Sequence, residues 1–119
     1  MTTIRHFKLN NNAGFVAKME ILWTGDDGTG NLGHGTYKPS GYHDICIHGE
    51  RSIDLAETPI PNGATVQLKV DVVLGKDKVA TKVVDKKTVD DTYTYDKSVG
   101  DVAEYVIKGT TLHSTLTKV

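Results

Sequence analysis

The sequence predicts an all-β protein, an antiparallel β-sandwich of about eight or nine short strands. Two stretches, residues 14–23 and 64–74, alternate apolar and polar side chains with the period of two that a pleated strand imposes. Segments rich in Gly, Asn, Asp and Pro separate such stretches, as turns do in all-β domains. Because 119 residues is a usual length for one domain, we expect a single sandwich domain over residues 1–119.

The first two strands are expected to form a hairpin. Residues 3–9 alternate, and the Asn- and Gly-rich residues 10–14 that follow are typical of a turn. The second strand, residues 14–23, has one strongly apolar face that includes the single Trp of the chain. That face consists of Phe15, Ala17, Met19, Ile21 and Trp23.

Residues 24–41 show no periodicity and carry five glycines before Gly41. A loop of this length within a small domain is often functional, so this segment is the first place to expect a ligand. The chain then resumes with two short alternating stretches, residues 42–48 and 51–55. Pro59 and Pro61 mark residues 57–63 as a turn, because proline cannot sit in a central strand.

The second strong strand, residues 64–74, presents alternating valines and leucine inward and polar groups outward. Residues 79–84 continue as a lysine-rich edge strand, and residues 85–92 are expected to be a charged loop. Further strands are expected over residues 93–95, 102–108 and 111–117. The predicted core comprises Phe7, Phe15, Met19, Ile21, Trp23, Ile45, Val66, Leu68, Val70, Val72, Tyr105 and Ile107.

Composition excludes several classes of partner. The net charge of −1 provides no basic field for nucleic acid, so no nucleic-acid partner is expected. A single cysteine, Cys46, excludes an intrachain disulfide. The N-terminus lacks the apolar segment of a signal peptide, and no run is long enough for a transmembrane segment. We therefore expect a soluble chain that is cytoplasmic as synthesised and that would leave the cell only without a signal peptide.

Residues 25–31, GDDGTGN, are a candidate cation site. Asp26, Asp27 and Asn31 offer oxygen ligands in a flexible glycine-rich loop, and calcium is the cation that such a loop would suit. The spacing does not match an EF-hand, and these residue types also make ordinary surface turns. The turn is the favoured interpretation, so no cofactor is expected.

A transition-metal site is a weaker candidate. His34, His43 and His48 could ligate a metal together with Asp44 and Cys46. His43 and His48 are an odd number of residues apart, which places them on opposite faces of one strand. The sequence also lacks a nucleophile elbow. We favour Cys46 as a small core residue and expect no enzyme.

Four tyrosines form a candidate surface group: Tyr37, Tyr42, Tyr93 and Tyr95. An apolar ring with a hydrated hydroxyl suits sugar rings or lipid headgroups. Tyrosine is equally suited to capping the ends of a sandwich, because its burial is intermediate.

The layout of residues 4–23, an opening strand followed by NNNAG and FVAKMEILW, resembles that of the aegerolysins. This resemblance implies a small β-sandwich that binds lipid. It covers about the first fifth of the chain and assigns no site residue.

These observations favour a non-enzymatic module that binds a glycan or a membrane lipid, similar to a lectin or a component of a toxin. The predicted ligand-binding residues are Asp26, Asp27, Asn31, His34, Tyr37 and Tyr42. The alternative is a protein-interaction or structural subunit that assembles through its sheet edges, with which a homo-oligomer would be compatible.

Overall fold

The computed structural model describes residues 2–26, 32–39 and 44–119. These residues form an all-β sandwich with one short 3-10 turn, Leu55–Glu57, and no helix among them is long and apolar enough to cross a membrane. The strands are β1 (Thr3–Ile4), β2 (His6–Ala13), β3 (Ala17–Asp26), β4 (Leu32–Tyr37), β5 (Glu50–Asp54), β6 (Thr65–Val72), β7 (Lys78–Val79), β8 (Thr81–Val84), β9 (Lys87–Asp90), β10 (Tyr93–Tyr95), β11 (Val102–Gly109) and β12 (Ser114–Lys118).

Two sheets make up the sandwich. The first has the order β1-β10-β6-β3-β4, with β7 also paired to β6, and the second has the order β12-β11-β2-β5. Most neighbours are antiparallel, which confirms the predicted fold class, but β1 pairs with β10 and β2 pairs with β11 in parallel. The parallel pairs arise where distant parts of the chain meet, because a parallel neighbour needs a long crossover.

The core lies between the sheets and follows the predicted alternation. All of the predicted core residues are buried except Trp23, which is only partly buried. Its ring lies against Gly33 and Gly35 of β4, where a β-carbon would come within about 3.5 Å of the indole. The glycines leave room for the ring to fold over the edge strand rather than point deeper into the sandwich.

The predicted hairpin between the first two strands is wrong. β2 pairs with β11 and β5, whereas β3 pairs with β6 and β4, so the two strands belong to opposite sheets. Residues 10–13 continue β2 instead of turning. Alternation identifies which side chains face inward, but it does not identify the neighbouring strand, and this chain crosses from one sheet to the other at residues 14–16.

The predicted loop over residues 24–41 is also partly wrong. β3 continues to Asp26, and β4 pairs with it from Leu32↔Asp26 to Tyr37↔Ile21. Because glycine alternates with larger residues in β4, the stretch lacks the apolar signal of a strand. Of the predicted strand over residues 42–48 the structure describes residues 44–48, and among these only Ile45 makes a β-bridge, to Ala17. Cys46 is exposed rather than in the core.

The predicted charged loop over residues 85–92 contains a strand. β8 and β9 form a hairpin arm, joined by Asp85 and Lys86 with φ of 50° and 66°. Two residues of positive φ define a type I′ turn, which glycine and asparagine usually signal. Asp-Lys at this position is therefore a weak indication of the turn. The expected strand over residues 79–84 is divided at the buried Ala80, and the last strand begins at Ser114 rather than at residue 111.

Tyr93 and Tyr95 are buried, so of the two interpretations left open for these tyrosines the surface group is wrong for this pair. The Tyr105 hydroxyl donates to the buried Asp91 carboxylate over 2.5 Å, and the Tyr93 and Tyr105 hydroxyls lie 2.8 Å apart. Burial, followed by these hydrogen bonds, raises the pKa of Tyr105. This hydrogen-bond network allows Tyr93 and Tyr105 to be buried, because each of their hydroxyl groups has a hydrogen-bond partner.

Arg5 and Asp54 form a bidentate pair, with Nε–Oδ1 and Nη2–Oδ2 distances of 3.0 and 2.9 Å. The hydrogen bonds from Arg5 lower the pKa of Asp54 to about 2. The folded state therefore prefers the charged carboxylate, and its contribution to stability is complete above about pH 4 and is lost as the pH falls through about 2. We expect Asp54→Asn to lower the melting temperature at pH 7 by about 4 °C. Thermal unfolding should show this difference disappearing near pH 2, whereas a constant difference would contradict it.

Candidate functional site

One end of the sandwich, which we call the tip, is formed by four neighbouring connections. They are residues 14–16 between β2 and β3, residues 46–49 before β5, residues 73–77 between β6 and β7, and residues 110–113 between β11 and β12. Two backbone hydrogen bonds tie the first connection to its neighbours. The amide of Gly14 donates to the Gly109 carbonyl over 2.8 Å, and the amide of Val73 donates to the Val16 carbonyl over 3.3 Å.

The connections after β6 and β11 touch each other. A β-carbon on Gly75 would lie 2.6 Å from the carbonyl oxygen of Thr111 and 2.7 Å from Val72 Cγ1. Only glycine fits this contact without moving the backbone. Gly109 completes the second connection, since its φ of +103° is in the region that favours glycine. The two loops are therefore held side by side.

Asn11 anchors the other half of the tip from within the core. Its side-chain amide donates to the carbonyl oxygens of Phe15 and Ile45, each over 2.8 Å, and its Oδ1 accepts from the amide of Ala13 over 3.0 Å. The backbone carbonyl of Asn11 also accepts from the amide of His48. This fully buried side chain therefore joins residues 14–16 to the segment that leads into residues 46–49.

The tip presents leucines to solvent. Leu74 is 95% exposed and Leu112 is 82% exposed, and they lie on the two connections that meet at Gly75 and Thr111. Leu74 has a φ of 64°, an uncommon conformation for a leucine, in a loop tied to its neighbours. Ile47, on the third connection, is 48% exposed. Large apolar side chains thus extend from three of the four connections.

A carboxyl pair lies at the base of the tip. Burial, followed by a hydrogen bond with Asp77, raises the pKa of Asp71 at the end of β6. Asp77 in turn lies 3.5 Å from Lys69 Nζ. The tip therefore becomes less negative at its base as the pH falls, since Asp71 takes up a proton more readily than an isolated aspartate does.

The predicted ligand residues lie away from the tip, toward the end of the β3–β4 hairpin. Asp26 and His34 are exposed on the outer face of this hairpin, and Tyr37 lies on the opposite face, packed against the core. The structure therefore does not gather these three side chains into one site. Asp27, Asn31 and Tyr42 lie outside the described residues, as does most of the candidate calcium loop.

His34 contributes to a shallow polar groove of about 400 Å³ on the outer face of the first sheet. Its other lining groups include Thr24, Thr36, Gln67 and Asp90. His48 is at the tip, far along the fold from His34, and His43 is outside the described residues. Among residues 2–26, 32–39 and 44–119, no three His, Cys, Asp or Glu side chains are grouped to hold a metal ion.

The sequence interpretation missed Leu74 and Leu112. The predicted strands end at Leu74 and include Leu112 near the start of the last one, where an apolar residue needs no explanation. Leu74 precedes a glycine in VLGK, residues 73–76. Leu112 follows two threonines in TTLH, residues 110–113. A leucine among residue types typical of turns is the signal that could have identified them, because turns are made mostly of Gly, Pro, Asn, Asp and Ser.

Comparison with known proteins gives structural neighbours only. No family model matches the chain, and no curated protein matches it. The structure is similar to a Gram-negative toxin (16% identity, TM-score 0.55) and to listeriolysin O (19% identity, TM-score 0.52), covering 97% of this chain and 22% of each of theirs. It is also similar to the membrane-binding domain of pneumolysin (18% identity, TM-score 0.50), covering 97% of this chain and 95% of that domain.

The chain spans about a fifth of the length of the whole toxins that it matches. At these identities the likeness concerns the fold, and it extends over nearly the entire pneumolysin domain. The comparisons do not show the resemblance to aegerolysins that the first strands predicted. They show instead that the chain shares the β-sandwich fold of the membrane-binding domain of pneumolysin.

Proposed function

We propose that this chain is a non-enzymatic membrane-binding module that docks its tip into the interface between lipid and water. The observation that carries this proposal is the pair of almost fully exposed leucines, Leu74 and Leu112, on two loops fixed against each other. A single exposed apolar residue is ordinary on a protein surface. Two leucines held together at one end of a rigid sandwich, with Ile47 beside them, form an apolar point.

The free energy available from this point fits interfacial binding. Moving one leucine side chain from water into an apolar environment contributes about 1.5–3 kcal/mol. Two leucines supply about 3–6 kcal/mol, which corresponds to reversible rather than permanent attachment. Strands β2, β3, β6 and β11 reach the tip from both sheets, so insertion would not require the fold to open. The shared fold with the membrane-binding domain of pneumolysin supports the same proposal.

Sedimentation with lipid vesicles tests this function. We expect the protein to pellet with large unilamellar vesicles that contain phosphatidylcholine and phosphatidylserine, and to remain in the supernatant without lipid. The apolar point predicts measurable binding to pure phosphatidylcholine as well. Protein that stays in the supernatant with both kinds of vesicle would contradict a membrane-binding role.

A protein-interaction subunit is the second candidate, and the β8–β9 arm favours it. In the part of the chain that the structure describes, each strand of this arm pairs only with the other. Val83 and Val84 are exposed on it, as is Val89. Exposed strand edges can pair with another chain, although short lysine-bearing edges resist this. Light scattering that gives a stable oligomer, together with no binding to vesicles, would favour this candidate over the first.

A further inference from the structure

We infer that the tip selects membranes with anionic headgroups, through Lys76 and Lys108 on either side of its leucines. This inference rests on the proposed membrane-binding function and specifies the lipid class. The chain as a whole has a net charge of −1, so no overall positive field attracts it to an anionic surface. Any preference for anionic lipid must come from the local distribution of charge at the tip.

Three carboxylates near the tip each lie close to a lysine. Asp77 lies 3.5 Å from Lys69 Nζ, and Asp44 lies 3.6 Å from Lys18 Nζ. On the second sheet, the Glu50 carboxylate lies 3.4 Å from the ammonium group of Lys8. These pairs offset the negative charge of the three carboxylates, whereas Asp71 at the base of the tip hydrogen-bonds with Asp77.

Lys76 and Lys108 differ from these lysines, because neither has an ion-pair partner among the described residues. Lys76 is exposed on the same loop as Leu74, two residues further along the chain. Lys108 is exposed at the end of β11, and it lines a shallow groove of about 300 Å³ that also contains Glu50 and Glu104. Glu50 lies close to Lys8, and Glu104 accepts a hydrogen bond from the side chain of Asn10. The structure thus places an ammonium group that forms no ion pair with a described residue next to the tip on each sheet, after β6 and at the end of β11.

This arrangement combines apolar side chains that enter the interface with cations that remain among the headgroups. A lysine near an anionic membrane surface strengthens binding about fivefold, so the two together should contribute about 30-fold. The effect should weaken as salt is added, because the Debye length falls to about 8 Å at physiological ionic strength. The leucine contribution should change little with salt.

Vesicle sedimentation with charge-neutral variants tests this inference. We expect wild-type protein to bind vesicles with one-fifth phosphatidylserine more tightly than pure phosphatidylcholine vesicles. The Lys76→Gln/Lys108→Gln variant should lose about 30-fold on the anionic vesicles and almost nothing on the neutral ones. The matched control is Lys87→Gln/Lys97→Gln, which removes the same charge from the β8–β9 arm and from the 96–101 connection, both away from the tip. The control variant should retain wild-type preference.

The outcomes separate the two proposals. If wild-type protein binds neutral and anionic vesicles equally, or if the tip and control variants lose the same affinity, the anionic preference is wrong and membrane binding stands. If no vesicle binds wild-type protein, the membrane function is wrong and the lipid preference falls with it. Circular dichroism should show that all variants remain folded, since the four lysines are exposed.

Discussion

Replacing Leu74 and Leu112 together with serine is expected to reduce binding to mixed phosphatidylcholine and phosphatidylserine vesicles by about 100-fold or more. Each leucine would lose about 1.5–3 kcal/mol of transfer free energy, and 1.4 kcal/mol corresponds to a factor of ten in affinity. Because both side chains are exposed in the free protein, the unfolding free energy should change by less than about 0.5 kcal/mol. Vesicle titration and thermal unfolding measure the two effects.

Leu32 provides the matched control for this prediction. It is 76% exposed, and it begins β4 in the hairpin that ends away from the tip. Leu32→Ser removes the same kind of side chain from a similarly exposed position, and it should leave the affinity for vesicles unchanged. Equal losses from Leu32→Ser and from the tip variant would indicate a general effect of surface hydrophobicity, which would contradict a membrane-binding tip.

Asn11→Leu is expected to cause the largest loss of stability, about 3–5 kcal/mol. The substitution removes the donors to Phe15 and Ile45 and the acceptor for Ala13. The Phe15 carbonyl and the Ala13 amide lose these partners, whereas the Ile45 carbonyl still accepts from the amide of Ala17. Each buried group that loses its partner costs about 1–3 kcal/mol. Because these bonds join two connections of the tip, vesicle binding should weaken as well. Denaturant unfolding gives the stability, and vesicle titration of the folded fraction gives the affinity.

Two further variants identify the cause of that loss. Asn11→Asp keeps the size and the acceptor but faces carbonyl oxygens with a carboxylate, so it should be at least as destabilising as leucine. Asn12 is the exposed neighbour on β2, and Asn12→Ala should change the unfolding free energy by less than about 0.5 kcal/mol. A tolerated Asn11→Asp would contradict the role of the two donated hydrogen bonds.

The same asparagines show where prediction from the sequence succeeds and where it fails. The core followed from alternation in β3 and β6, because a strand with one buried face must place an apolar residue at every second position. Residues 10–12 look like a turn because three asparagines stand in a row. They lie in a strand because Asn11 satisfies all its polar atoms inside the protein, and only the folded arrangement supplies those partners.

Whether Tyr93 and Tyr95 are surface or core residues stays open from the sequence for a related reason. Tyrosine can be buried or exposed according to whether its hydroxyl has a partner. For Tyr93 the partners are Asp91, two residues away, and Tyr105, twelve residues away. No local pattern could reveal the second of these contacts.

The candidate site was the least predictable part. Long irregular segments are often ligand loops, and residues 24–41 are the longest segment of this kind in the sequence. The tip instead combines four short connections, and the two that carry Leu74 and Leu112 are separated by more than thirty residues of chain. Their proximity depends on the pairing of β6 with β3 and of β11 with β2, which alternation does not specify.

Depth-dependent fluorescence on the bilayer tests the membrane-binding tip most directly. Cys46 is the only cysteine, so Cys46→Ser permits a single environment-sensitive dye to be attached at Leu112→Cys or, in a second protein, at Leu32→Cys. With vesicles, the dye at position 112 should shift its emission to the blue and be quenched by lipid-borne quenchers, while the dye at position 32 stays in water. A shift at position 32 with none at position 112 would contradict insertion of the tip.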